Sequence, residues 1–178
     1  MDEFIKYDKT YSDENVLTYI NNVFIQILLA ISTKEISNID HFVGDNVYNE
    51  LKERIEALNQ NGYTQKYDEL NVFKTTILLK KVNQGYLTLK VELISRALDY
   101  VIDANKEIVL GNKLQRVEKK HYLTFQKNIN TENETILKKC PTCGAGIDVN
   151  ANGKCPYCHS IFDMENHGWV LMEWSNEE

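Results

Sequence analysis

The residues best equipped for chemistry lie together: residues 140–159 read CPTCGAGIDVNANGKCPYCH and hold all four cysteines of the chain. Parts of this stretch fit three chemistries. Cys155-Pro156-Tyr157-Cys158 alone is the dithiol of a glutaredoxin-type redox site, and adding His159 makes a haem-attachment C-x-x-C-H. Paired with Cys140-Pro141-Thr142-Cys143, the same residues become half of a four-thiolate metal site. Context separates the readings. A redox Cys-Pro-Tyr-Cys opens a helix after an early strand of a βαβ unit, whereas here it follows a Gly-Asn-rich turn late in the chain. Haem attachment leaves Cys140 and Cys143 unexplained and ordinarily needs export.

Two C-x-x-C units separated by eleven residues instead fit tetrahedral zinc, because each unit bends the chain so that two sulfurs point inward. Gly144 lets the backbone curl toward the metal, and Asn152-Gly153 turns the second unit onto the first. So small a module cannot bury enough surface to fold unaided, while structural zinc contributes about 10–16 kcal/mol in such units. The expectation is one structural zinc ion on Cys140, Cys143, Cys155 and Cys158, with a closed shell and no open catalytic position. His159 stands where ribbons often carry glycine and is read as a surface non-ligand.

Other elements must position this module. Apolar residues at Val16, Leu17, Ile20, Val23, Phe24, Ile27, Leu28 and Ile31 recur at roughly the helical period of 3.6, with Ser12 as N-cap and Asp13 and Glu14 in the first turn. A shorter helix through Ile36, Ile39, Phe42 and Val43 is expected to stop at Gly44. A third runs from Asp45 to Gln60 and ends at Asn61-Gly62. Beyond Tyr67 the period changes to two. A strand from Leu70 to Val82 turns at Asn83-Gln84-Gly85 into the alternating Leu87, Leu89, Val91 and Leu93. A turn at Asp103–Lys106, a short run through Leu110 and a strand through Val117, His121, Leu123 and Phe125 complete a meander. The fold class is α+β, with N-terminal helices packed on a curved antiparallel sheet and a small zinc ribbon behind. The domains read as 1–128, a linker over 129–139, and 140–178 with a terminal apolar strand, Gly168 to Trp174, packed on the ribbon or on the first domain.

Composition narrows the partners. Twenty Lys and Arg against 26 Asp and Glu give a net charge of -6, which opposes phosphate backbones and anionic surfaces. Only Lys138, Lys139 and Lys154 lie in or beside the ribbon, without the aromatic interleaving of strand-binding proteins, so no nucleic acid is expected. No run reaches the roughly 18 apolar residues of a membrane span. The acidic start Met1-Asp2-Glu3-Phe4 and the confined cysteines lead to an expectation of a reducing cytoplasm, with the chain free or at the membrane periphery.

The stretches YDKTYSDENVLTYINNVFIQILLAIS, LKVELISRALDYVIDANKEIVLGN and HYLTFQK resemble the domain shared by the C-terminal part of mitochondrial inner-membrane translocase subunit forty-four and its bacterial relatives, over residues 5–128. Bacterial members with a four-cysteine ribbon and a Trp-containing end are similar to CPTCGAGIDVNANGKCPYCHS and WVLMEW here. The resemblance implies a cone-like fold related to nuclear transport factor two, with helices wrapped on a curved sheet around a hydrophobic cavity. It also implies a membrane-associated scaffold in protein transport, not an enzyme. The first helix departs from that pattern: Asp13 and Glu14 flank it and no Lys or Arg precedes Lys34 within it, which argues against lipid binding by this helix.

The leading expectation is therefore a binding or scaffold module. A protein or peptide partner, membrane-associated or not, or an apolar ligand would occupy the cavity or the exposed sheet. The alternative is a cone-fold enzyme handling a small molecule or lipid by acid–base chemistry with Asp99 and His121, helped by Tyr100. The duller readings are Asp99 and Asp103 as strand-end or turn residues, Tyr100 as core, and His121 as an ordinary strand residue. His41 and His167 are read as capping or solvent-facing groups.

Overall fold

The computed structural model describes residues 2–130, 143–145, 157–159 and 168–176. Helix α1, Asp13–Thr33, begins where Ser12 accepts a hydrogen bond from the Asn15 amide at 3.1 Å and ends where Lys34 turns left-handed at φ 62°. Helix α2, Asp45–Gln60, closes with Tyr63 N–H donating to Leu58 O and Gly62 at φ 67°. The shorter helix expected through Ile36–Val43 does not form. Its residues make successive i to i+3 turns, Ile39 N–H to Ile36 O and Phe42 N–H to Ile39 O. The backbone then makes a single parallel bridge to a distant strand instead: Leu171 N–H donates to Phe42 O and Gly44 N–H to Leu171 O, both at 2.8 Å.

Five strands form one antiparallel sheet: β1 (Thr64–Asn83), β2 (Tyr86–Ile102), β3 (Ile108–Gly111), β4 (Val117–Asn128) and β5 (Trp169–Asn176), in the order β1-β2-β4-β5 with β3 also paired to β2. Strand β1 starts six residues before the sequence-based expectation, because Thr64 to Asp68 continue the ladder opposite Leu98 to Ile102. Of the two places the sequence leaves open for the terminal strand, β5 takes the sheet, with Trp169 opposite Lys127 and Trp174 opposite Leu123. The cysteine stretch thus lies in the connection between two neighbouring strands of one sheet. The outer edge of β5 is not left bare, since residues 42–44 bridge to Leu171.

The core is the inner face of the sheet against α1. Leu87, Leu89, Val91 and Leu93 from β2, Leu123 and Phe125 from β4, and Trp169 and Leu171 from β5 meet Ile20, Phe24, Ile27 and Ile31, all at most 1% exposed. By length and composition α1 would serve as a membrane span, which corrects the expectation that no segment could; Thr, Asn and Gln break the apolar run without making the helix polar. In this fold eight of its residues are buried in the core. The N-terminal segment is strapped beneath by Phe4, whose ring lies 6.0 Å from that of Trp169. Lys80 pairs with Asp2 and Asp13, and Lys127 with Asp8 at 2.7 Å.

Candidate functional site

Toward one end of the inner face the alternation of β2 changes character. Leu87, Leu89, Val91 and Leu93 give way in the same register to Ser95, Ala97 and Asp99, and on β4 Leu123 and Phe125 give way to His121, Lys119 and Val117. Smaller and polar side chains leave space there. A cavity of about 210 Å³ opens, closed above by Val47, Glu50, Leu51 and Arg54, one face of α2 at i, i+3, i+4 and i+7, and at the side by Trp174 and Asn176 of β5.

His121 is the best-held polar group in it. Ser95 Oγ lies 2.9 Å from its Nε2, and Asn176 Oδ1 lies 2.7 Å from its Nδ1. Trp174 Nε1 lies 3.1 Å from the same Asn176 oxygen. The indole N–H lies between this oxygen and His121 Nδ1, 3.3 Å away; the shorter contacts favour the tautomer in which Nδ1–H and the indole N–H both donate to the Asn176 oxygen and Nε2 accepts from the Ser95 hydroxyl. The ring is 5% exposed and packs 4.8 Å from Phe24 and 5.6 Å from Trp174, centroid to centroid. Burial depresses its pKa, and the Asn176 hydrogen bond only partly offsets this. His121 is therefore a neutral imidazole at neutral pH.

The charged groups sit around it in pairs. Asp99 accepts from Gln65 Nε2 at 2.7 Å and pairs with Lys119 at 2.6 Å, and Arg54 donates to the Tyr67 hydroxyl at 2.7 Å. Burial raises the Tyr67 phenol above its ordinary range despite the guanidinium beside it. The structure thus brings Asp99 and His121 into one cavity, which alternation along single strands could not show, yet each is engaged elsewhere. The position a carboxylate would hold behind a catalytic imidazole is filled by the Asn176 amide, which orients the ring without supplying a negative charge. Tyr100, next in sequence to Asp99, is buried with its hydroxyl on Asp68 and does not line the cavity. Asp103 is a turn residue whose carboxylate accepts from the Asn105 and Glu107 amides. His41 stacks on Phe42 at 4.0 Å beside Asp40, at the surface.

Ser95, Asn176, Glu50 and Arg54 were not singled out from the sequence, and Val47, Leu51 and Trp174 read there only as apolar positions of their helix and strand. The usable signal was the interruption of apolar alternation on two strands at matching positions; pairing with β5 carries no local signal.

Of the expected zinc ligands, Cys140 and Cys155 lie outside the described residues, as do Asn152-Gly153 and His167. Cys143 and Cys158 are both exposed. The residue after each has the same left-handed backbone, Gly144 at φ 72° and His159 at φ 61°. A matching curl after the second cysteine of both units, one of them at a non-glycine where it costs energy, fits paired thiolate knuckles. Among the described residues alone, no group of three or more ligating side chains gathers.

A comparison with curated proteins finds no match. Among solved structures, a periplasmic fragment of TraM aligns with a TM-score of 0.52 at 7% identity, over 93% of this chain and 97% of that one. The intermembrane-space region of chloroplast protein ARC6 aligns at 0.46 and 10% identity, over 89% and 94%. At such identities a likeness speaks for the fold alone, and only the first is near enough to do so. The α+β order of helices followed by an antiparallel sheet is that implied by the sequence resemblance, and the model of the Tim44-like domain matches residues 1–136, more than half of the chain: this protein belongs to the Tim44-like domain family.

Proposed function

We propose that this protein is a non-enzymatic binding module in protein transport or membrane-associated assembly, and that its cavity receives one anchoring side chain of a protein partner. The size of the cavity carries the reading. At about 210 Å³ it is smaller than the roughly 300–1,000 Å³ of pockets that enclose a drug-sized ligand, and too small for a lipid tail or a helix. A pocket for one large side chain, ringed by Glu50, Arg54, Asp99 and Lys119, matches the anchor-and-rim pattern of protein interfaces. Against the enzyme alternative stand the engaged state of Asp99 and His121 and the neutral amide behind the ring. Membership of the family adds support for assembly over catalysis.

The test is site-specific photocrosslinking in native cells. A photoreactive residue at Glu50, on the cavity rim, should capture a defined protein, and Ala97→Trp, which fills the cavity, should abolish the adduct while leaving the fold's circular dichroism intact. Equal capture with and without the filled cavity would rule out the anchor.

We further propose that Cys140, Cys143, Cys155 and Cys158 hold one structural zinc ion. The paired left-handed residues Gly144 and His159 are the support. Elemental analysis should return one zinc per chain, and Cys143→Ser should lower that figure.

A further inference from the structure

The connection from β2 through β3 to β4 is unlike the rest of the surface. Every residue from Ala104 to Lys119 is exposed, and among them are Ile108 at 42%, Val109 at 42%, Leu110 at 70% and Leu114 at 92%. Single exposed apolar residues need no explanation, but four within seven positions on one projecting arm do.

Their exposure does not come from looseness. Asp103 caps the first turn by accepting from Asn105 and Glu107, and Asp103 N–H donates to Glu107 O at 2.9 Å. Asn112 caps the second by accepting from Leu114 N–H. Between them β3 is laddered to Tyr100–Ile102, and Gly111, at φ 82°, lets the backbone pass against Asp99 O, where any Cβ would collide. The arm is thus a built element that holds leucines in water.

Charge reverses there as well. The chain carries -6, yet over residues 103–117 Lys106, Lys113 and Arg116 stand against Asp103 and Glu107, a local balance of +1. Arg116 is tied back to Asn71 and Glu69, while Lys106 and Lys113 are exposed beside the apolar residues.

We propose that residues 103–117 form a membrane-docking finger, which inserts Leu110 and Leu114 among the headgroups of an anionic bilayer while Lys106 and Lys113 pair with the lipid phosphates. A rigid protein partner would have to supply a groove matched to this convex arm, whereas a bilayer interface accepts any small apolar wedge flanked by cations. The inference rests neither on the cavity, with which the arm shares only Val117 at its base, nor on α1, whose apolar face is spent on the core.

Sedimentation of the full chain with vesicles tests it. Vesicles of equal parts phosphatidylcholine and phosphatidylglycerol should carry the protein down, and vesicles of phosphatidylcholine alone should carry little. Lys106→Glu and Lys113→Glu should each weaken binding by at least about fivefold, the worth of one lost cation near such a surface, and added salt should weaken it further. Leu110→Ser with Leu114→Ser should abolish binding; both side chains lie in water, so the melting curve should be unchanged. Phe73→Ser, at a residue 52% exposed on β1, should bind as the parent does, and so should the cavity-filling Ala97→Trp, which separates this outcome from that of the crosslinking. No sedimentation of the parent with anionic vesicles, or parental binding by the double serine variant, overturns the proposal.

Discussion

Ser95 on β2 and His121 on β4 meet side chain to side chain at 2.9 Å, and through its other nitrogen the imidazole holds Asn176 at the end of β5. One buried ring therefore links three strands of the sheet. Its protonation would force Nε2 to become a donor facing a hydroxyl that now donates to it, and would place a charge beside Phe24 and Trp174.

Because burial lowers the His121 pKa, the unfolded chain binds a proton that the folded one refuses as pH falls below about 6.5. Stability should be at its plateau above that pH and should decline below it until the lower folded value is reached. Urea midpoints measured across that range should show the slope, and His121→Phe should flatten it whatever its constant offset. An unchanged slope in the variant would assign the decline to other groups.

Trp169 is fully buried against Phe4 and Tyr11, so Trp169→Ala should cost about 3–5 kcal/mol by denaturant unfolding. Tyr19 donates its hydroxyl to Trp169 O at 2.8 Å, and Tyr19→Phe should cost far less, about 1 kcal/mol.

The Asp8–Lys127 pair, with side chains 11% and 14% exposed, is half-buried at the edge of the core. Lys127→Met should cost about 1–3 kcal/mol by taking the charged partner from the carboxylate, and the double variant with Asp8→Leu should regain most of it. Burial alone would raise the Asp8 pKa, but hydrogen bonds from Lys127 and Thr10 together hold it below the ordinary range. Its stabilising contribution should thus be complete above about pH 4 and be lost as pH falls through the lower folded value.

Gly111→Ala places a methyl group on the Asp99 carbonyl at a left-handed φ, so β3 must leave β2. The cost should exceed about 1 kcal/mol, and amide exchange at Tyr100–Ile102 should accelerate while that at Leu87–Leu93 does not.

Both tryptophans of the chain, Trp169 and Trp174, lie on β5, so intrinsic fluorescence reports the docking of that strand. Chelation should release the zinc proposed for the cysteines yet leave the emission maximum in place, because β5 is held by β4 and by residues 42–44. A red shift on chelation would show that the metal holds the strand.

The sequence by itself determined what is periodic or local. α1 and α2, the β2 and β4 strands, the turns at Asn83–Gly85 and Asp103–Lys106 and the cap at Ser12 follow from spacing and from side chains that act within one turn. The paired C-x-x-C spacing is local in the same sense. Residues 36–43 show where such reading ends: an apolar spacing of three suggested a helix, and the backbone went to Leu171, 127 residues from Gly44. Beyond the interrupted apolar alternation on β2 and β4, the cavity belongs to the tertiary structure. His121 acquired its partners only because β2 supplies Ser95 from one side and β5 supplies Asn176 from the other, and hydrogen bonds between strands so distant in sequence leave no trace in the period of either. The finger likewise was visible as sequence but not as surface, since apolar residues in Ile108–Leu110 read equally well as core until their neighbours are known.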